Sequence, residues 1–183
     1  MQYTHSAIDG LFGSAAFALP DGRQFPSVFW RTASPQEIAD LGFVEFVPEP
    51  PTLEDLRTAK IAAINSRSSD ILAAGAPIVV DTDTLHVALD DGSRADMTAM
   101  GTTAIAAASS AVPWPDSYQA GWITVENIRI PLPLPSDGLA LAATVGDYYA
   151  QIKRHARDLK DAAIAAEDQS ALDAIDIEMG WPT

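Results

Sequence analysis

The sequence predicts an α+β fold: small antiparallel hairpins packed with three to four helices, preceded by a small β-rich N-terminal module. Three observations carry this. Short apolar runs alternate, as at Leu85, Val87 and Leu89, with the period of a half-buried strand. Longer segments repeat apolar residues at near-helical spacing, the longest through Val145, Tyr148, Tyr149, Ile152, Ala156, Leu159 and Ala163. After the first 50 residues comes Pro48-Glu49-Pro50-Pro51, where three prolines remove backbone donors and stiffen the chain. The boundary is set there, giving a module over 1–50 and an α+β domain over 51–183.

In the module, Phe17-Ala18-Leu19 and Arg23-Gln24-Phe25 flank Pro20-Asp21-Gly22, a turn signature with a fixed φ followed by glycine, and read as a hairpin. Ser34, Pro35 and Glu37 occupy the cap, first and third positions of a capping box, so a short helix should run to Leu41 and stop at Gly42. Phe43–Val47 reads as one more strand.

Thr52 caps the next helix, whose apolar positions are Leu53, Leu56, Ile61, Ile64, Ile71 and Leu72, with Arg57, Lys60 and Arg67 assigned to its solvated side. Ile78-Val79-Val80 pairs with the strand at Leu85 across a turn of Asp81-Thr82-Asp83. Ser93 or Asp96 is expected to cap a helix carrying Met97, Met100, Ala104 and Ala108, ending before Pro113-Trp114-Pro115. Gly121–Val125 and Ile128–Ile130 read as a second hairpin on a two-residue Glu126-Asn127 turn. Ser136 or Asp137 then opens the longest helix, with Lys153, Arg154, Arg157 and Lys160 opposite its apolar stripe. Leu172, Ile175 and Met179 suggest a last short helix. The simplest assembly lays the helices over one face of a small antiparallel sheet.

The composition narrows the function. Lys and Arg number 11 against 25 Asp and Glu, a formal charge of −14, which argues against a phosphate backbone or an anionic membrane as partner. Cysteine is absent, so disulfides, thiolate metal sites and cysteine nucleophiles are excluded. No apolar run approaches a membrane span, and Met1–His5 lacks the basic start of a secretory signal, so the protein is expected in the cytoplasm of the producing cell unless carried out in a particle.

Chemical motifs are weak. Asp81 and Asp83 satisfy the first two positions of a calcium loop, but Leu85 stands at the third, His86 at the glycine position, and no glutamate closes it. His155 lies between Arg154 and Arg157 and reads as a helix-surface residue; His86 is on the polar side of a strand; His5 is assigned to a mobile terminus. There is no Gly-x-Ser-x-Gly elbow and no phosphate-cradling glycine pattern. No catalytic, cofactor-binding or metal-ligating residue is assigned, and no cofactor is expected. Trp114, between two prolines, and Trp30 are the candidates for protein contact.

From Leu56 to Trp181 the order of features resembles a domain of unassigned function recurring at the C-termini of tailed-bacteriophage tail-fibre and tail-assembly proteins. The residues carrying the resemblance are Leu56–Asn65, Asp90-Asp91-Gly92-Ser93-Arg94-Ala95-Asp96-Met97, the strand pair around Trp122, Arg154–Ala166 and Gly180-Trp181-Pro182. In the module, Phe29–Glu37 with Leu41-Gly42 resembles a segment that often precedes such domains. Leu132-Pro133-Leu134-Pro135 departs from the pattern, where relatives continue through a Thr-Ala-rich helix start.

The resemblance implies a non-enzymatic structural or accessory component of a phage tail (tip, baseplate or fibre attachment), located in the virion tail and assembled in the host cytoplasm. Its partners would be other tail proteins and, by analogy with tail symmetry, further copies of itself in a trimer or ring. Two alternatives stand beside it: a tail-fibre assembly chaperone absent from the virion, and a carboxylate-dependent hydrolase of host polysaccharide using Asp81, Asp83, Asp90 or Asp91.

Overall fold

The computed structural model describes all residues, 1–183, as an α+β chain in two compact units, Met1–Pro50 and Pro51–Thr183. The first unit contains β1 (Tyr3–His5), β2 (Ile8–Phe12), β3 (Phe17–Ala18), β4 (Gln24–Phe25), α1 (Phe29–Thr32), α2 (Pro35–Asp40) and β5 (Phe43–Glu45). β2, β1 and β5 form an antiparallel sheet in that order, and β3 pairs with β4 across Pro20-Asp21-Gly22, Gly22 taking a φ of +88°. The α2 capping box closes as the spacing predicts: Ser34 N–H donates to Glu37 Oε2 at 2.7 Å, and Glu37 N–H donates back to Ser34 Oγ at 3.3 Å.

The terminus corrects the sequence reading, for His5 is fixed in β1. Ala7 N–H donates to its Nδ1 at 3.0 Å, which leaves Nε2 to donate to the Leu41 carbonyl at 3.0 Å, and the ring packs edge-on against Phe43. β1 and β2 went unread because their residues alternate poorly and include Gly10. The core of this unit is aromatic: Phe17 and Phe43 are buried, with Tyr3, Phe12, Phe25, Phe29 and Trp30 around them at ring separations between 4.8 and 6.4 Å.

The second unit contains α3 (Leu53–Ala74), β6 (Ala76–Val80), β7 (Asp83–Val87), α4 (Asp91–Ala108), α5 (Asp116–Gln119), β8 (Trp122–Ile123), β9 (Arg129–Ile130), α6 (Pro135–Ala165) and α7 (Gln169–Asp173). The hairpins β6–β7 and β8–β9 are separate two-stranded sheets, so no continuous sheet exists for the helices to cover. The organiser is instead α6. α4 lies antiparallel along its first half, since Ala104 neighbours Gly138 and Arg94 neighbours Tyr149. α3 lies antiparallel along its second half, since Arg57 reaches the Ala163 carbonyl while Ile64 joins Ala156 and Ala163 in one cluster.

Burial follows that plan. Leu141, Val145 and Ile152 of α6 enter a core with Val87, Met97, Met100 and Leu132, and Ala156 and Ala163 enter a second with Ile64 and Leu172. Fully burying an aliphatic side chain of this size contributes about 1.5–3 kcal/mol, and Ile64, Met100 and Ile152 are completely shielded.

Several expected boundaries shift for identifiable reasons. Asp90, not Ser93 or Asp96, caps α4: its backbone is extended and its carboxylate accepts from Ser93 N–H at 3.0 Å, which moves Gly92 inside the first turn. Leu134 caps α6 with Pro135 at the first position, and Asp137, placed three residues on, accepts from Leu134 N–H at 2.9 Å. The β6–β7 turn is Asp81-Thr82, because Asp83 pairs with Val80 once Asp81 takes a φ of +54°.

The β8–β9 connection is five residues, not two. Glu126 and Val125 are drawn onto β7, where His86 N–H donates to Glu126 Oε2 at 2.9 Å and Val125 N–H donates to the His86 carbonyl at 2.8 Å.

Arg57, Lys60 and Arg67 are corrected most clearly. They point at the C-terminal segments: Arg57 donates to the carbonyls of Ala163 and Ala166, Lys60 to that of Ile175, and Arg67 pairs with Glu178 at 3.1 Å. The carbonyls at the end of α6 need donors, and Arg57 supplies them for Ala163 and Ala166.

Candidate interaction groove

Along the α4–α6 pair the two helices leave an open groove of about 490 Å³, whose floor reaches the core residues Leu89, Met97 and Val145. α4 contributes Arg94, Met97, Thr98, Gly101, Thr102 and Ile105; α6 contributes Leu139, Ala142, Ala143, Val145, Gly146 and Tyr149. The spacings i, i+4 and i+7 on α4 and i, i+3, i+4 and i+7 on α6 put each set on one helical face.

Small residues make the floor. A Cβ on Gly101 would lie 3.4 Å from Ala142 Cβ, so the helices touch there, whereas a Cβ on Gly146 would meet nothing within 4 Å. Polar demand within the groove is low. Thr98 Oγ1 donates to the Arg94 carbonyl at 2.8 Å and Thr102 Oγ1 to that of Thr98 at 2.9 Å, so both hydroxyl protons are used inside α4. Ile105, at the rim, is 62% exposed.

Charge is confined to one end. Arg94 is the only charged residue of the lining, in a chain with 25 carboxylates. Its guanidinium lies 4.4 Å over the Tyr149 ring, and Lys153 Nζ lies 5.5 Å from the same ring. Arg94 Nη2 also pairs with the exposed Asp91, while its Nε is buried without a hydrogen-bond partner.

Trp114 is not in this groove, and its assignment as a surface contact is corrected. It is 9% exposed; its Nε1 donates to the Leu132 carbonyl at 2.9 Å, its ring stacks on Tyr118, and its edge presses on Gly138, where a Cβ would come within 2.9 Å. The flanking prolines shape the loop that folds the ring inward. Trp30 is half-buried among Tyr3, Phe17 and Phe43, with Nε1 donating to the Ala15 carbonyl at 2.7 Å.

The residues of the calcium-like window separate. Asp81 falls in a turn, Asp83 in β7 and Asp90 at a helix cap, while His86 Nδ1 meets Glu126 Oε1 at 2.7 Å. No group of three or more His, Asp and Glu side chains gathers in metal-binding reach. His155 faces the C-terminal segment: Nε2 contacts the Met179 carbonyl at 2.9 Å and the ring meets Trp181 edge-on.

Where carboxylates depart from their ordinary range, they move down. The Ser93 hydroxyl and N–H lower Asp90, the Thr52 hydroxyl and N–H lower Asp55, and the Ser34 N–H and hydroxyl lower Glu37. Glu126, held by the His86 N–H and then its ring, is lowered to about 2. A general acid needs the opposite shift.

Residues 55–178, which include the whole groove, match the family described as a domain of unknown function, DUF4376. The chain belongs to this family. No curated protein and no solved structure matches the chain. The DUF4376 region begins inside α3 and ends after α7. No helix is long and apolar enough to cross a membrane. The groove eluded sequence reading because Thr98 and Thr102 count as polar. The signal available was a pair of mid-helix glycines, Gly101 and Gly146, each costing about 1 kcal/mol against alanine.

Proposed function

We propose that this protein is a non-enzymatic structural or accessory component of a bacteriophage tail that works through protein–protein contact. The α4–α6 groove carries the reading: it is mostly apolar, open, free of carboxylates and backed by the main core of the second unit. Its shape suits a docked side-chain ridge better than a reacting substrate. The lowered carboxylates at helix caps support a structural use of the acidic residues. The likeness of Asp90–Met97 and Arg154–Ala166 to tail-fibre and tail-assembly proteins supplies the context, with a location in the virion tail and further tail proteins or copies of this chain as partners.

The test is mass spectrometry of purified, salt-washed phage particles from the producing host. The chain should be present at a fixed ratio to known tail subunits. Presence in the lysate with complete absence from particles would overturn the reading in favour of a tail-fibre assembly chaperone, which the same open groove in an acidic protein would also serve.

A further inference from the structure

We infer that the α4–α6 groove receives a single amphipathic helix of another protein, carrying a carboxylate at the end that meets Arg94. This deepens the contact role proposed above and rests on it.

Two features specify a helix. The groove runs between two antiparallel helices, and its walls present residues one helical turn apart, the methyl-bearing Thr98 and Thr102 and then Ile105 on α4, with Gly146, Ala143 and Leu139 on α6. A partner helix with anchors at i, i+3 or i+4, and i+7 has the matching period. Gly146 adds the second. Mid-helix glycine weakens α6, and no neighbour within the chain occupies the space its missing Cβ leaves. With the exposed Ala143 beside it, this is the place where another helix backbone could approach most closely.

The charge specifies the end group. The lining offers one cation and no anion. Arg94 is held against Tyr149 with Lys153 nearby, and its only ionic partner is the almost fully exposed Asp91. A carboxylate delivered along the groove would meet a preoriented guanidinium. A second copy of this chain is a poorer occupant, because two bodies of charge −14 repel outside the groove.

The experiment places a photoreactive benzoylphenylalanine at Ile105 of the full chain, irradiates it in lysate of producing cells, and maps the cross-linked peptide by mass spectrometry. A synthetic copy of the mapped segment is then titrated by fluorescence anisotropy. The segment should come from a different chain, gain helicity on binding, and contain an Asp or Glu whose change to Lys weakens binding. Gly146→Leu should fill the groove and weaken binding at least about tenfold, while its melting temperature stays equal or rises. Arg94→Gln should cost about two- to five-fold, and Asp91→Asn, which frees Arg94, should tighten binding.

Cross-links confined to copies of this chain, no cross-link at all, a bound segment that is not helical, or a Gly146→Leu variant that binds normally would each overturn the inference. A chain found in particles with an empty groove fails this inference alone. A helix bound by a chain missing from particles fails the tail-component reading alone.

Discussion

The two units solve the same problem with different chemistry. Residues 1–50 hold all six phenylalanines of the chain, together with Trp30 and Tyr3. Residues 51–183 contain no phenylalanine and build their cores mainly from Ile, Leu, Val, Met and Ala of the helices and hairpins, with Trp114 among them. A short chain with two- to five-residue strands has little surface to bury, so each large ring must contribute much of it. A long helix can instead spread burial along a stripe of small and medium residues, and the close approach they permit lets α3 and α4 share α6. The consequence is that small residues leave space. In the helical unit that space is the open groove where Ala143 and Gly146 face outward.

Substitutions can break or sharpen this contrast. The largest effect is expected for Phe43→Ala, which removes a ring in contact with His5, Phe12, Phe17 and Trp30. It should destabilise the first unit by about 3–5 kcal/mol and collapse the ring-current shifts of the remaining packed rings, Tyr3, Phe12, Phe17, Phe25, Phe29 and Trp30, in NMR spectra; retention of those shifts would mean that the rings do not carry the fold. In the helical unit the sensitive direction is overfilling. Gly138→Ala drives a Cβ against Trp114 and should cost about 1–3 kcal/mol in urea titrations.

Thr52→Ala removes the cap of α3, including the hydroxyl that accepts from Asp55 N–H, and should cost about 1 kcal/mol in the same assay. The smallest effect is confined to acid. Glu126 titrates at about 2 in the folded chain against an ordinary 4.5, so its contribution is complete above about pH 4.5 and is lost as the pH falls toward 2. Glu126→Gln should flatten that part of the stability profile, measured by thermal melts from pH 6 to pH 2, while an unchanged acid limb would show that the His86 clip contributes nothing.

Legibility tracked the range of the interaction. The Ser34 box, the Thr52 cap, the Pro20-Asp21-Gly22 turn and the pairing of Ile78 with Leu85 could be read, because each depends on residues within a few positions of one another. The cap of α4 was missed by one turn or two because Asp90, Ser93 and Asp96 are all good cap residues and only the backbone at Asp90 decides among them. The basic face of α3 was misassigned because Arg57, Lys60 and Arg67 look solvated until acceptors more than 100 residues away, three carbonyls and the Glu178 carboxylate, need their donors. Trp114 misled for the same reason: a tryptophan between prolines is exposed only if no Leu132 carbonyl waits for it.

The groove was the least legible feature, since it belongs to neither helix. The sequence by itself determined the α+β class, the break at the prolines, the long helix and the Pro20-Asp21-Gly22 turn, through backbone propensity, caps and apolar period. Tertiary structure decided that α6, not a sheet, is the centre, that the basic residues of α3 hold the C-terminal segments, and that Arg94 is the one charged residue lining a mostly apolar groove. Those outcomes depend on which helical faces meet, and faces meet according to the shape and burial of residues far apart in the chain, which no local pattern records.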